Sequence, residues 1–547
     1  MEKRVLLAIL LSMVVMYGYS FLVTPPKKNA QTQKTVQTQQ STVQLKPSFN
    51  VGQPAPAMTK TASEPQGGKD VVVETDLYTA VFSTNGAALK KIILKKFRTT
   101  TAPDAKPIAF IDESEPDNYS LRTFGSGIPL DPSAVFSVNV DALQVGKGEK
   151  KSIEFVARSS SGDVLKKTYT FTGGEYGIGL EQQVVNTSAA AQDGSLLLVE
   201  KNHFVQVPGE SRYDVHGPTT FADNAVQSLK FADLAKGAKT FDKSVLWSGF
   251  EDKYFLGAAM GLNGSIAAVQ IRQTNSYAEN VISSPRLSLA PGAGATVAYK
   301  LYYGPKDLDI LKAQGSRLEE VINLGWFSAI AKPLLHILKF FYKFTGNYGL
   351  AIIIITVIIK ALFYPLTNQS YKSMKDMQKL QPKMAELREK YKNDRDAMNR
   401  SVMELYKTHK VNPMGGCLPM LIQIPVFIAL YRALMSSIEL RHAPFMLWIH
   451  DLSAPDTLFG IIPKGIPFLA GMPLGPLPLL MGATMVIQQK MTQSTMDPAQ
   501  ARIMMAMPFI FTFVFLNFPS GLVLYWLVNN VLTIAQQAYI NKTLKES

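Results

Sequence analysis

The stretch Tyr348-Gly-Leu-Ala-Ile-Ile-Ile-Ile-Thr-Val-Ile-Ile-Lys-Ala-Leu-Phe-Tyr-Pro-Leu366 decides the fold. As a helix rising 1.5 Å per residue it covers roughly 28 Å, the hydrocarbon thickness of a bilayer. Comparable runs lie at 415–436, 466–489, 503–518 and 521–540, and an earlier one at 5–23. Six spans are expected. Pro467, Pro473, Pro476 and Pro478 blur the start of the fourth, and the fifth is short. No small-x-small cleavage site follows Val5–Val23, so it fits an uncleaved anchor better than a signal peptide.

Composition agrees. Hydrophobic residues are 47% of the 547 and charged ones 18%, which excludes a simple soluble enzyme and a disordered chain. The net charge of +14 fits basic cytoplasmic loops and lipid headgroup contacts better than nucleic acid. The single cysteine, Cys417, excludes an intrachain disulfide and Cys-rich zinc sites.

Between the first two spans the texture changes twice. Residues 24–69 are rich in Gln, Thr, Pro, Ser and Lys and read as a flexible tether. Residues 70–317 carry short β-like runs (Val71–Val73, Leu77–Phe82, Ser152–Val156, Lys167–Phe171, Ser195–Val199, Ser265–Ile271, Thr296–Tyr303) separated by Gly, Asn and Asp clusters. That pattern predicts a large antiparallel β-sandwich. Residues 318–343 then take a helical period. Lys332, His336, Lys339 and Lys343 form one stripe on an otherwise apolar helix, as in a helix lying in the membrane interface. Packing against the β-domain is the alternative.

Loop charge sets the orientation. Residues 368–414 carry Lys372, Lys375, Lys379, Lys383, Arg388, Lys390, Lys392, Arg395, Arg400, Lys407 and Lys410, whereas 437–465 carries Arg441 and Lys464. The first loop is therefore cytoplasmic and the second is outside. Both termini, 1–4 and 541–547, and the loop 490–502 fall inside, and the β-domain falls outside. Within 368–414, Met377, Leu380, Met384, Leu387 and Tyr391 recur at helical spacing, as do Met398, Val402, Leu405 and His409. A helical hairpin is expected, turning at Lys392–Arg395, with Pro382 restarting its first helix.

With the topology set, polar residues are placed by depth. Thr356 and Lys360 in the second span, Gln423 in the third, Gln488 and Gln489 in the fourth, and Asn529, Asn530, Thr533, Gln536 and Gln537 in the sixth all fall in central or inner positions. The outer halves are mostly apolar. This predicts a wet cavity open to the cytoplasm and closed to the outside. Lys360 is the one clear charge well inside a span, where a cation is costly without water or partners. Snorkelling to the inner interface is its plainer explanation. No span carries a clear carboxylate of the kind a coupled transporter uses. No phosphate-binding loop, metalloprotease motif or nucleophile with a nearby base is visible, Ser453 and Ser520 included.

Tyr364–Thr367 (YPLT), Asn412–Pro419 (NPMGGCLP), Leu421–Pro425 (LIQIP), Ala443–Leu452 (APFMLWIHDL) and Phe518–Trp526 (FPSGLVLYW) resemble, in this order, the signatures of the YidC/Oxa/Alb insertase family. The whole layout resembles its Gram-negative form. The resemblance implies a polytopic α-helical inner-membrane protein with a five-helix insertase core and a periplasmic super-sandwich domain, without implying a sugar ligand. It implies insertion and folding of membrane proteins, alone or beside the Sec translocon, with no enzymatic reaction and no cofactor. The implied partners are nascent membrane-protein substrates, ribosome–nascent-chain complexes, the translocon and lipids, with no nucleic acid as a ligand. The short tail 541–547 argues against a long ribosome-binding extension.

By the same resemblance Lys360 takes the place of the groove's basic residue, often arginine, and keeps the charge without the bidentate fork. Thr356, Gln423 and Trp526 match groove positions, Trp526 where tyrosine is common, and Asn529 and Asn530 are placed with them. The family's substrate slide runs along the third and fifth spans. Cys417, Leu421, Ile424 and Ile428 would form one side, and Phe511, Val514 and Phe515 the other. A transporter or channel using an intramembrane lysine is the competing function.

Overall fold

A computed structural model describes residues 68–203, 216–391, 394–409, 418–463, 470–491 and 498–546. The anchor 5–23, nearly all of the tether and Cys417 lie outside these residues.

The N-terminal half folds as two β layers. One is a nine-stranded sheet in the order Ala225–Ser228, Gly217–Ala222, Trp247–Glu251, Phe255–Gly261, Gly294–Pro305, Gly177–Val185, Val164–Thr172, Lys150–Arg158 and Ser137–Val138. Val164–Thr172 alternates buried and half-buried positions along its whole length, the mark of a strand with one face in a core. Tyr169, Leu180 and Tyr299 stand opposite one another across three strands and so share that face. Against it lie two smaller sheets side by side. The five-stranded sheet brings Phe82 to 4.5 Å from the Tyr169 ring centroid. The six-stranded sheet reaches the same platform through Asn280, whose Nδ2 donates to Gly249 O at 2.8 Å. Among the described strands pairing is antiparallel except where Asp70–Glu74 meets Ala142–Gln144 in parallel, and an isolated parallel bridge joins Lys147 to Gly173.

Among the described residues, helices follow almost exclusively after the sandwich. Within it lies α1 (Phe231–Leu234), and α2 (Leu308–Gln314) closes it. Then come α3 (Ser328–Thr345), α4 (Tyr348–Lys379), α5 (Gln381–Lys390), α6 (Arg395–Thr408), α7 (Leu418–Ser436), α8 (Pro476–Met491), α9 (Pro498–Phe515) and α10 (Ser520–Glu546). Among the described residues α4 is the helix long and apolar enough to cross a membrane. Shorter apolar helices lie at Gln423–Ser436 and Met504–Phe515. Helix α10 packs along α4 and α8, α9 lies on α8, and α3 lies across α4 and α7.

The fifth expected span is helical over Pro498–Phe515 and the sixth over Ser520–Glu546, into the expected tail, and three other boundaries differ from the sequence expectation for a physical reason. The interfacial helix begins at Ser328, not 318, because Leu318, Val321, Ile322 and Leu324 are spent sealing the β-domain and Gly325 turns the chain at φ 68°. Helix α4 does not stop near Leu366. It runs through Pro365 to Lys379, and the Thr367 hydroxyl donates back to the Phe363 and Tyr364 carbonyls just after the proline. Its 32 residues measure about 48 Å, well beyond a bilayer core. Helix α8 starts at Pro476, where the proline needs no helical partner for its missing N–H, so the prolines before it belong to the preceding loop.

The hairpin is formed by α5 and α6. Pro382 sits in the first turn of α5, and Asp394 caps α6 by accepting from Ala397 N at 3.0 Å. Met377, Leu380 and Met384 are buried, and the Tyr406 hydroxyl lies 3.3 Å from Met384 Sδ.

Candidate functional site

Of the polar residues placed by depth outside the sixth span, Lys360 and Gln423 reach α10. Lys360 stands about 18 Å along α4 from Tyr348, and Thr533 about 20 Å along α10 from Ser520, so the two meet at one level. Lys360 Nζ donates to Thr533 Oγ1 at 2.7 Å, and that hydroxyl donates onward to Asn529 O at 2.6 Å. Gln423 Nε2 from α7 donates to Asn529 Oδ1 at 2.8 Å. Asn529, Thr533 and Gln536 fall four and three residues apart, on one helical face. Gln536 Nε2 extends the row by donating to Thr367 Oγ1 at 2.7 Å. Asn530 faces round to α8, where its Nδ2 donates to Thr484 Oγ1 at 3.2 Å. Thr356 is buried above Lys360 and returns its hydroxyl to Ile352 O, so it polarises the wall without bridging helices.

Trp526 lies one turn towards the outside from Asn529 and Asn530. Its ring is 4.7 Å from Phe427 on α7, and 5.1 and 6.1 Å from Phe515 and Phe511 on α9. Phe515 is buried in this cluster and Phe511 half-buried. Val514 and Ile424 point outward, 45% and 42% exposed, and Ile428 is half-buried. The expected slide residues thus divide. Val514 and Ile424 present apolar surface on the rim, whereas Phe511 and Phe515 pack against Trp526 and floor the space between α7 and α9. Leu421 lies on α7, and its side chain is outside the described set, as Cys417 is.

Two features of the site were not legible in the sequence. Thr484 looks like filler in an apolar run, and only the fold sets it against Asn530. The other is the outer closure. Asp456, buried in the loop before α8, accepts from Trp448 Nε1 at 3.1 Å and from Leu477 N at 2.8 Å, capping α8 with a charge suited to its N-terminus. A side chain on Gly475 would run into that carboxylate, and one on Gly349 into the Phe445 ring. Ser520 and Gly521 donate backbone N–H groups to Ala454 O and Leu452 O, both at 2.8 Å. Asn347 Nδ2 holds Phe445 O at 2.8 Å. The motifs Ala443–Leu452 and Phe518–Trp526 therefore build the outer lid of the bundle.

On the outer side, Lys339 of α3 joins three elements. It donates to Asp307 and Asp309 of the β-domain's last helix at 3.1 and 2.8 Å, and to Glu439 after α7 at 2.8 Å. Burial alone would lower its pKa, but Glu439 and Asp309 outweigh it and hold the ammonium well above its usual range. Lys339 thus docks on the β-domain, the second of the two readings of the basic stripe, whereas Lys332, His336 and Lys343 are exposed.

A polar site inside an apolar helical bundle, with a β-domain fixed to one end, is the layout of an integral membrane protein with an extramembrane domain. Residues 70–337 match the family model described as YidC periplasmic domain, and residues 340–547 match that of the 60Kd inner membrane protein. The chain is 54% identical over 547 residues to the membrane protein insertase YidC of Geotalea uraniireducens (strain Rf4), covering 100% of both. It is 54% identical over 547 residues to the protein of that name from Geobacter metallireducens, covering 100% of this chain and 99% of the relative. A crystal structure described as an active YidC insertase covers 86% of this chain at 17% identity and a TM-score of 0.35. The chain belongs to the YidC membrane protein insertase family. Membership places it in the inner membrane, with residues 70–337 as its periplasmic domain.

Proposed function

We propose that this chain inserts and helps fold inner-membrane proteins through a cytoplasm-open groove built around Lys360. In this reading six spans cross the membrane, at 5–23 and along α4, α7, α8, α9 and α10, with both termini inside. The hairpin α5–α6 receives a nascent chain from a ribosome. Lys360, Thr356, Gln423, Asn529 and Asn530 shorten the apolar distance that a polar segment of the client must cross, and Trp526 floors their outer side. The client's apolar segment then leaves for lipid between α7 and α9, past Ile424, Ile428 and Val514. Its transfer into the bilayer supplies the driving force. The chain acts alone or beside the Sec translocon.

The observation that carries this reading is the pairing of Lys360 with a neutral hydroxyl. Among the described residues Lys360 makes no ion pair, so its charge remains available to an acidic segment. Purified protein in liposomes tests it with a small single-span coat-type client. Unassisted insertion is expected. Lys360→Ala should slow insertion of acidic-tailed clients several-fold more than Lys360→Arg does. Equal activity of all three on every client removes Lys360 from the mechanism, and solute flux without insertion replaces the insertase with a transporter.

A further inference from the structure

A cavity of about 720 Å³ lies where the β-domain, the start of α3 and the outer end of α7 meet. That is within the ~300–1,000 Å³ range of small-molecule sites. Arg432 and Lys332 line it from α7 and α3, Lys253 and Glu319 from the β-domain side, and Tyr431 and Met435 supply apolar wall. Of the three other lining charges, Lys306 and Glu251 neutralise each other at 2.7 Å, and Glu320 pairs with Arg317 at 2.6 Å. Arg432 and Lys332 have no such partner. Neither makes an ion pair among the described residues.

The guanidinium is placed by the fold. A methyl group on Gly325 would lie 3.9 Å from Arg432 Nε, so the arginine rests against the turn that starts the interfacial helix. Arg432 stands four residues, about 6 Å, short of the end of α7 at Ser436. The next residue after that turn, Trp326, is 88% exposed, as an aromatic at the headgroup level of a bilayer is. An unpaired guanidinium and an unpaired ammonium thus face one cavity at the depth where lipid phosphates lie. Guanidinium binds phosphate bidentately, which makes it the stronger of the two contacts.

We propose that this cavity holds the phosphate-bearing headgroup of an outer-leaflet phospholipid, gripped by Arg432 and seconded by Lys332. The site is separate from the groove, and its test does not depend on insertion. Full-length protein in detergent is titrated with dioctanoyl phosphatidylethanolamine, with dioctanoylglycerol, which lacks the phosphate, and with inorganic phosphate, reading the melting temperature and the lipid-bound mass by native mass spectrometry. The phospholipid should raise the melting temperature and appear as an adduct, and the other two should not. Arg432→Gln should weaken binding about tenfold, Arg432→Lys less. Lys332→Gln, at an exposed position where folding is not at stake, should weaken it measurably as well. Equal binding by wild type and both glutamine variants overturns the proposal. So does an equal response to dioctanoylglycerol, which would mean acyl-chain binding, or to inorganic phosphate, which would mean a free-anion site.

Discussion

Glu200 shows what burial does to one side chain in the sandwich. It is 2% exposed, and its Oε1 accepts from the Tyr303 hydroxyl at 3.4 Å. Burial pushes its pKa up to about 8, with the tyrosine opposing. A glutamate in the unfolded chain titrates near ~4.3. Between these values the folded state holds one more proton than the unfolded state, so stability falls as pH rises from about 4.3 to about 8 and stays lower beyond. Thermal unfolding of the full-length protein at pH 5, 7 and 9 should show this slope, and Glu200→Gln should flatten it. An unchanged slope in the variant would show that other groups carry the pH dependence. At this scale Lys360, Gln423, Asn529 and Asn530 were legible, because a polar side chain in an apolar span is conspicuous. Thr533 was legible in the same way, but Thr484 was not, and none of the pairings could be read before distant helices were set side by side.

Among elements, α3 is the one whose role the fold most enlarges. Its apolar face (Ala331, Leu334, Leu335 and Leu338) is buried, and Lys339 binds carboxylates on two neighbours. Removing a partly buried cation that serves three carboxylates leaves those charges crowded together. Lys339→Met should lower the melting temperature and speed hydrogen exchange in α3 and α2, with exchange in the centre of the nine-stranded sheet unchanged. Uniform protection throughout would mean that the apolar face alone holds the helix. The helical half was legible because its periods are long and its loops carry charge. The sandwich was legible at its half-exposed strands, such as Lys150–Arg158. The adjacent strands Trp247–Glu251 and Phe255–Gly261 are buried on nearly every residue, so they lack the alternation that betrays a strand.

For the whole molecule, the distribution of polarity is one-sided. Lid contacts around Asp456 and Ser520 close the outer end, and the hydrogen-bonded row from Asn529 to Gln536 runs inward. In a Cys417→Ser background a membrane-impermeant maleimide should label Gln536→Cys from the cytoplasmic side and Leu458→Cys from the periplasmic side. Val523→Cys, fully buried, should stay unlabelled from both. Labelling of Gln536→Cys from the periplasm would reverse the orientation. Its failure to label from either side would make the cavity dry. The β-domain is fixed to this frame at a second point: Arg441 Nη2 donates to Arg98 O at 2.7 Å, with its guanidinium 5.7 Å from the Tyr254 ring.

The interior polar groups are already married to one another when no client is present. Lys360 has Thr533, Gln423 has Asn529, and Asn530 has Thr484. In the groove proposed above, a visiting peptide would trade bonds with the neutral members instead of adding them, and each such swap is close to an even exchange. In that reading the neutral wall resembles a well-lubricated bearing: it would spare the cargo the oil without gripping it.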